Sequence, residues 1–454
     1  MPTSAPARVC IIGAGCSGIA AAKVLADRGV PFDCFEMGSG IGGNWRFRND
    51  NGLSAAYASL HINTSKERMA YADFPMPGHY PDYLHHTQVL DYFEAYVDHF
   101  GLRDTITLRT EVTHVAPAEE GTYDVSTRHC DTGETQTQRY GAVLVANGHH
   151  WDPNWPHFPG TFAGEAMHSH DYRTADQLRG RRVLVVGVGN SGLDIACEAA
   201  RHAKRAVLST RRGAHIMPKY MLGRPSDHWL SPLTSSLPLP LQRAGMRLLL
   251  WLTRGDQEAY GFPRPPHPLG AEHPSISSEV LNLVGHGRLT VRPNIQRLEE
   301  DTVRFMDGTQ EAFDLIVYAT GYNISFPFFA DDFLSVDGNR VRFYRHVVPP
   351  RRPNLYFIGL IQPLGAVMPI SERQAKWVAD LLEGTAGLPS IAAMEQAIAK
   401  THADMQKRYT RSKRHTIQVD FHPYMAQLAR ERTAGRHRPK VQQLPATVPV
   451  SVPA

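Results

Sequence analysis

The chain has 454 residues, of which 42% are hydrophobic and 20% are charged. This length and composition allow several packed domains and exclude a disordered or fibrous protein over most of the chain. The 48 lysines and arginines nearly balance the 44 aspartates and glutamates, so nothing indicates a nucleic-acid partner, and the longest nearly apolar run, residues 246–252, is too short to cross a membrane.

The N-terminal residues predict a strand, a glycine turn and a helix. The apolar run 9–12 is followed by a GxGxxG turn and by the alanine-rich segment 19–27. In such a unit the glycines let the backbone turn, approach a pyrophosphate and pack helix on strand, while amides at the helix start face the phosphates. The predicted dinucleotide contacts in this turn are Gly13, Gly15, Ser17 and Gly18.

A second predicted strand, residues 32–35, ends at Glu36. A carboxylate at this place can accept hydrogen bonds from a ribose diol. It therefore favours a dinucleotide with an unphosphorylated adenosine ribose, such as FAD or NAD.

The same unit recurs from residue 182. A strand over 182–186 leads into a second GxGxxG turn, a helix to about residue 203 and a strand over 206–209, which is followed by arginines instead of an acid. Guanidinium groups suit the 2′-phosphate of NADPH through charge-assisted hydrogen bonds, although arginines that follow a strand can also be plain surface charges. The predicted NADPH contacts are Gly187, Gly189, Asn190, Ser191, Gly192, Arg211 and Arg212.

Two later strand-like segments, residues 314–318 and 355–358, are typical of strands that return a chain to its first nucleotide-binding domain. We therefore predict an α/β protein with two dinucleotide-binding, Rossmann-like domains, the NADPH domain being inserted in a discontinuous FAD domain. The predicted parts are the FAD domain in residues 1–160 and 311–440, the NADPH domain in 161–310 with a proline-rich insert at 218–274, and a flexible tail at 441–454.

Motifs of several other enzyme classes are absent from the sequence. It has no CxxC or CxxxxC pair of the kind that disulfide reductases use, no HExxH or cysteine–histidine set for a metal, and no GxSxG nucleophile. The odd number of five cysteines predicts free thiols and a cytoplasmic protein. We therefore predict no metal site and an enzyme whose cofactor carries the reaction.

Between the two turns lies the pattern FxGxxxHxxxY, formed by Phe162, Gly164, His168 and Tyr172. Together with the two turns, this pattern resembles the identifying motif of the flavin-containing monooxygenases, which are class B flavoprotein monooxygenases. Further similar stretches extend over residues 8–430 and contain the predicted site residues Gly43, Trp45, Asn63, Thr320, Gly321 and Gln362.

The resemblance implies a cycle in which NADPH reduces FAD, NADP+ stays bound, and O2 forms a C4a-hydroperoxyflavin that oxygenates a soft nucleophile such as an amine or a sulfide. In the family, an asparagine at the position of Asn63 lies by the flavin and helps to hold the nicotinamide and the peroxide. An amide suits that role because it donates and accepts without a charge, but Asn63 can also be a turn-capping residue. The resemblance puts Gln362 near the flavin ring and leaves open whether His168 and Tyr172 contact substrate or only place the domain junction.

Several alternatives stay open. Two dinucleotide sites are also compatible with a Baeyer–Villiger monooxygenase that acts on ketones, with an uncoupled NADPH oxidase and with a non-enzymatic nucleotide sensor. The sequence is also compatible with a homodimer. The chain lacks the C-terminal hydrophobic anchor of the animal enzymes, which predicts a soluble, bacterial-type member without a transmembrane segment. The proline-rich insert, with its apolar residues 248–252, is either a lid that lines an apolar entrance or a helix packed on the NADPH domain.

Overall fold

A computed structural model describes residues 8–334, 336, 338–409 and 416–439, so the predicted tail at 441–454 lies outside the described residues. The chain forms two compact units. The first unit comprises the described parts of Met1–Ser54, Lys66–His149 and Ile324–Ala454, and the second comprises Ala55–Ser65 and His150–Asn323.

The described chain contains both strands and helices, as expected for an α/β protein. The strands are β1 Val9–Ile12, β2 Phe32–Phe35, β3 Ile106–Thr107, β4 Thr110–Pro117, β5 Tyr123–His129, β6 Thr135–Tyr140, β7 Ala142–Val145, β8 Asp152–Pro153, β9 Gly160–Phe162, β10 Glu165–His168, β11 Arg182–Val186, β12 Arg205–Ser209, β13 Ile216–Met217, β14 Tyr220–Met221, β15 Arg224–Pro225, β16 Ser275–Ile276, β17 Thr290–Arg292, β18 Ile295–Glu300, β19 Thr302–Phe305, β20 Gln310–Ala312, β21 Leu315–Tyr318, β22 Tyr322–Asn323, β23 Leu355–Phe357, β24 Gln362–Leu364 and β25 Gln418–Asp420. The helices are α1 Cys16–Asp27, α2 Lys66–Met69, α3 His86–His99, α4 Asn190–His202, α5 Pro232–Ser236, α6 Leu239–Arg254, α7 Val280–Gly285, α8 Met368–Leu382, α9 Ile391–Arg408 and α10 Phe421–Gly435.

The first unit is built on a parallel sheet with the strand order β23-β7-β1-β2-β3. Strand β1 lies at its centre, and all four of its residues are buried because the sheet is covered on both faces. Helix α1 packs against α8. Helix α8 buries most of its residues, among them Ala375, Val378 and Leu382.

The second unit repeats this arrangement with the parallel order β10-β21-β11-β12-β17. The predicted α/β architecture with two Rossmann-like units is therefore confirmed. The prediction that residues 314–318 return the chain to the first unit is wrong, because Leu315 of β21 pairs with Val183 of β11 inside the second sheet. Only the later segment returns, since β23 pairs with β7.

The unit boundaries also differ from the predicted 160, 161, 310 and 311. The second unit begins at His150 and extends to Asn323, because β21 and β22 complete it. It also takes in residues 55–65, a short segment that lies within the predicted first domain.

The proline-rich insert 218–274 contains helices α5 and α6 and the hairpin β14–β15. Its small core joins Leu250 of α6 to Met217, Met221 and Leu269. The apolar residues 248–252 are thus helical, as in one of the two alternatives, but Leu248, Trp251 and Leu252 are more than half exposed, at 58%, 65% and 57%. The idea that this patch lines an enclosed entrance stays a prediction.

All five cysteines are free thiols, as predicted. In the part of the chain that the structure describes, every helix is too short or too polar to cross a bilayer.

Candidate functional site

The first glycine turn connects β1 to α1. Gly13 has a φ of +96°, and a Cβ there would lie 2.9 Å from the carbonyl oxygen of Ala146. A Cβ at Gly18 would overlap the carbonyl oxygen of Gly13. Any side chain at these two places would force the helix away from the sheet, which explains the glycines of the motif.

The start of α1 is open to a ligand. Its N-cap is Gly15, which offers no side-chain hydrogen bond, so amides of the first turn are not satisfied by a side-chain cap. These amides lie at the positive end of the helix, where an anion is stabilised.

Glu36 lies beside this turn with its side chain buried. Its carboxylate accepts hydrogen bonds from the backbone N–H of Ala14 at 2.9 Å, from the N–H of Gly38 at 2.8 Å and from Asn51 Nδ2 at 3.2 Å. The structure therefore brings the predicted acid to the predicted turn. Asn51 was not predicted, because it lies fifteen positions after Glu36 and no long helix or strand connects the two.

Gly43 and Trp45 form a short 3₁₀ turn that meets the glycine turn. The N–H of Gly42 donates to the carbonyl oxygen of Ala14 at 3.0 Å, and a Cβ at Gly43 would lie 3.1 Å from the Cα of Gly15. Two bare backbones thus run side by side, so the predicted Gly43 belongs to the same site as Gly15.

Ser17 points away from the open side of the turn. Its hydroxyl oxygen lies 2.9 Å from that of Ser371 in α8. A Cβ at Gly359 would overlap the Ser17 hydroxyl, and the Gly359 N–H donates to Gln374 Oε1 at 2.8 Å. No role in the site was predicted for Gly359, Ser371 or Gln374.

Gln362 lies on β24, three residues beyond Gly359. Its backbone N–H donates to the carbonyl oxygen of Ile417 at 2.8 Å, and the strand pairs with β25. These contacts fix the backbone of Gln362 and do not join it to the glycine turn.

The second glycine turn has the same geometry. Gly187 has a φ of +114°, a Cβ there would overlap the carbonyl oxygen of Ala319, and a Cβ at Gly192 would overlap the carbonyl oxygen of Gly187. Gly189 caps α4 without a side-chain hydrogen bond. The amides at the start of α4 are therefore open in the same way as those of α1, and Ser191 lies in this first turn.

Asn190 is engaged elsewhere. Its Oδ1 accepts a hydrogen bond from the N–H of Ile276 in β16 at 2.9 Å. The side chain thus holds strand β16, which follows the insert, and only the backbone of Asn190 remains for a ligand at the turn.

Ala319 in the second unit corresponds to Ala146 in the first. Each follows a buried strand, β21 or β7, and each presents its carbonyl oxygen to the first glycine of a turn. The chain continues as Asn147-Gly148 in one case and Thr320-Gly321 in the other. This repeat of an apolar strand followed by AxG is the sequence signal that could have assigned β21 to the second unit.

Thr320 and Gly321 are held by Asn154. The Thr320 hydroxyl donates to the carbonyl oxygen of Asn154 at 2.7 Å, and the Asn154 N–H donates to the carbonyl oxygen of Gly321 at 2.9 Å. Both predicted motif residues therefore maintain the loop behind the second turn.

The two strand ends that follow the glycine turns carry opposite charges. Arg211 lies two residues beyond the end of β12, its side chain is exposed, and it has no hydrogen bond or ion pair within the described ranges. Arg212 is half-buried and forms an ion pair with Glu272. Of the two predicted arginines, only Arg211 is free to meet an anion.

The FxGxxxHxxxY residues lie inside the second unit. Phe162 ends β9, and a Cβ at Gly164 would lie 2.6 Å from its ring. His168 and Tyr172 are fully buried. His168 Nδ1 accepts from the N–H of His170 at 3.1 Å, burial lowers the pKa of His168 to about 4, and Tyr172 donates to Glu198 of α4. These contacts describe packing and favour the structural one of the two open roles.

The segment 55–65 carries Asn63. It is tied to the second unit by Tyr57, whose hydroxyl donates to Asp194 Oδ2 at 2.5 Å, and by Ala58, whose N–H donates to the carbonyl oxygen of Arg173 at 2.8 Å. Asn63 is half-buried, and its side chain makes no hydrogen bond to any residue that the structure describes. Its amide therefore caps no turn there and is available to a ligand.

Comparison with known proteins reveals extensive similarity. A family model described as flavin-binding monooxygenase-like matches residues 6–449. Flavin-containing monooxygenase 5 of Rattus norvegicus is 39% identical over 441 residues, which cover 93% of this chain and 82% of the rat protein.

Solved structures share the fold. S-allyl-L-cysteine S-oxygenase from Allium sativum superposes with a TM-score of 0.72 at 25% identity, covering 97% of this chain and 90% of that one. The open crystal structure of cyclohexanone monooxygenase gives a TM-score of 0.70 at 19% identity, with coverage of 95% and 98%. The latter similarity shows a common fold alone.

Proposed function

The chain belongs to the flavin-binding monooxygenase-like family, so it is a flavoprotein oxidoreductase that uses FAD and NADPH, and we propose that it oxygenates soft nitrogen or sulfur centres of small molecules. When bound, the flavin accepts a hydride from NADPH and then activates O2, so that one oxygen atom goes to the substrate and the other to water. The observation that carries the proposal is the opposite polarity of Glu36 and Arg211 at matching strand ends of two similar units.

We assign FAD to the first unit. The residues there fit it, because the glycine turn offers bare backbone and uncapped amides to a pyrophosphate, and Glu36 offers a carboxylate to a ribose diol. The residues that would hold FAD are Gly13, Gly15, Ser17, Gly18, Glu36, Gly43, Trp45 and Gln362. Ser17 would act through its N–H, since its hydroxyl contacts Ser371.

We assign NADPH to the second unit. The turn made by Gly187, Gly189 and Gly192 would hold the pyrophosphate, together with the backbone of Asn190 and Ser191. Arg211 would bind the 2′-phosphate, and Arg212 would add its charge at longer range because Glu272 already occupies it. The sequence predicted that both arginines bind the phosphate, whereas we now propose that Arg211 alone contacts it directly.

Asn63 is our candidate for the catalytic side chain. Its free amide can donate to one group and accept from another without introducing a charge. We expect it to orient the bound nicotinamide and the activated oxygen, so that oxygen reaches the substrate before it is lost as hydrogen peroxide.

The similar proteins support a heteroatom substrate. The garlic enzyme is named as an S-oxygenase and covers nearly the whole chain, whereas cyclohexanone monooxygenase, whose name indicates a ketone substrate, is related only by fold. Baeyer–Villiger oxidation of ketones is therefore the second candidate, and no observation in the site favours it.

The test supplies the FAD-loaded protein with NADPH, O2 and, in parallel, a thioether, a tertiary amine and a cyclic ketone. We expect sulfoxide and N-oxide in amounts close to the NADPH consumed. A lactone as the main product would show that ketones are the substrate class, instead of amines or sulfides. Peroxide equal to the NADPH consumed with every substrate would indicate an oxidase, and no NADPH consumption would indicate a nucleotide-binding protein.

The role of Asn63 is tested by Asn63→Ala, with the exposed Asn282→Ala as the matched control. We expect the alanine at 63 to raise the peroxide released per NADPH while FAD content stays unchanged. Normal coupling in Asn63→Ala would exclude this role.

A further inference from the structure

The two residues that flank Asn63 and Thr64 are held by side chains from the start of the proline-rich insert. Lys219 Nζ donates a hydrogen bond to the carbonyl oxygen of Ile62 at 3.1 Å. Asp227 Oδ2 accepts one from the N–H of Ser65 at 2.8 Å and another from the Ser65 hydroxyl at 2.9 Å. The chain is therefore fixed on both sides of Asn63.

These contacts are shielded from water. Ile62 and Ser65 are each only 1% exposed. A carboxylate that accepts from both a backbone N–H and a hydroxyl is a charge-assisted interaction, which is stronger than a hydrogen bond between neutral groups. The Ser65 hydroxyl also lies 3.1 Å from His228 Nε2, next in sequence to Asp227. The end of the segment is therefore held more firmly than an exposed loop would be.

A short hairpin brings Lys219 and Asp227 together. Strands β14 and β15 pair with Tyr220 opposite Pro225, and the N–H of Ser226 donates to the carbonyl oxygen of Lys219 at 2.9 Å. This closes the chain between residues 219 and 226, so that the two side chains extend from the same end of one hairpin. We call residues 219–227 the bracket hairpin.

We propose that the bracket hairpin sets the orientation of Asn63 and that Lys219 and Asp227 are positioning residues for oxygen transfer. The inference rests on the proposed role of Asn63. Small displacements of a catalytic group cost up to about a hundredfold in rate, so fixing the backbone on both sides of Asn63 has a direct functional value. It also gives the first part of the insert a role that differs from that of a lid.

The experiment uses the full-length, FAD-loaded protein and the variants Asp227→Ala, Asp227→Asn and Lys219→Met. The matched control is Asp256→Ala, which removes a carboxylate from the same insert that contacts Arg264 and the N–H of Glu258 instead. Two quantities are measured: the rate of amide hydrogen exchange in the peptide that spans residues 62–66, and the peroxide released per NADPH. Exchange reports on the backbone independently of turnover.

We expect Asp227→Ala to speed exchange in this peptide by about tenfold, the effect of losing a hydrogen bond of ordinary strength. Its peroxide release per NADPH should rise towards that of Asn63→Ala. Asp227→Asn keeps an acceptor oxygen and should recover most of both properties, whereas Asp256→Ala should match the wild type. Lys219→Met removes the hydrogen bond to Ile62 on the other side of Asn63, and should also raise the peroxide released per NADPH. It is the test variant if Asp227→Ala does not fold.

Unchanged exchange in Asp227→Ala, or faster exchange with wild-type coupling, would overturn the inference and leave the proposed function intact. Normal coupling in Asn63→Ala would instead refute the role of Asn63, and the proposed role of the bracket hairpin would be refuted as well. The two failures are therefore distinguishable.

Discussion

Tyr57 and Asp194 are joined by a hydrogen bond of 2.5 Å between the segment that carries Asn63 and helix α4. Desolvation raises the pKa of Asp194 to about 6, although the Tyr57 hydroxyl and the charge of Lys219 act in the opposite direction. The link that holds this segment thus includes a carboxyl group that titrates close to neutral pH.

This shift predicts a specific pH dependence of stability. Because the folded-state pKa lies above the unfolded value, the folded chain binds more protons between about pH 4 and pH 6, and stability falls as the pH rises through that window. Asp194→Asn removes the charge. Between pH 4 and pH 7 its free energy of unfolding should therefore rise, relative to that of the wild type, by at most about 3 kcal/mol. Urea unfolding at a series of pH values measures this, with the exposed Asp301→Asn as control. Parallel curves for Asp194→Asn and the wild type would contradict it.

Removing the charge of Glu36 should weaken FAD binding. Glu36→Gln keeps one acceptor but loses the carboxylate that can serve a ribose diol, and hydrogen bonds to charged groups contribute about 1.5–3 kcal/mol. We expect the Kd for FAD to rise at least about tenfold, measured by flavin fluorescence on reconstitution. The exposed Glu134→Gln should bind FAD normally, and equal affinity of both variants would remove Glu36 from the site.

Arg211 and Arg212 should differ when each is replaced by alanine. Arg211→Ala should raise KM for NADPH at least about tenfold and leave KM for NADH nearly unchanged, because only the 2′-phosphate distinguishes the two. Arg212→Ala should have a smaller effect, since that guanidinium already pairs with Glu272. Steady-state kinetics with both coenzymes measure the ratio, and an unaltered preference in Arg211→Ala would defeat the assignment.

The third glycine of each turn allows the two proposed cofactor sites to be altered separately. A Cβ at Gly18 or at Gly192 would overlap a carbonyl oxygen of its own turn. We expect Gly18→Ala to lose FAD, and Gly192→Ala to retain FAD but lose reduction by NADPH. Flavin absorbance and the anaerobic rate of flavin reduction separate these results.

Gly245→Ala is the control for both substitutions. Gly245 lies in helix α6, and no heavy atom lies within 4 Å of the place of its Cβ, so this change should stabilise the protein by about 0.5–1 kcal/mol. Loss of FAD from Gly192→Ala would show that the two turns do not serve separate cofactors.

Local features of the fold could be predicted from the sequence because each depends on a short pattern. Strands β1, β2 and β11 begin and end at the predicted residues, since each is an apolar run next to a turn. The partners of a strand are not encoded locally, and for that reason residues 314–318 were assigned to the wrong unit.

The residues of the site could be predicted from the sequence only where a local pattern marks them. Glu36 follows its strand at a fixed distance and was predictable, whereas Asn51 reaches it across irregular chain. The contacts of Lys219 and Asp227 with the segment of Asn63 span more than 150 residues and have no sequence signature.

The path of the chain has a consequence for biosynthesis. Every residue of the second unit precedes Ile324, whereas the first unit still requires strand β23 and helix α8. As domains fold as units during translation, the second unit can fold while the first still lacks an edge of its sheet. A ribosome that pauses once Asn323 has left its exit tunnel would therefore present a complete second unit ahead of an incomplete first unit.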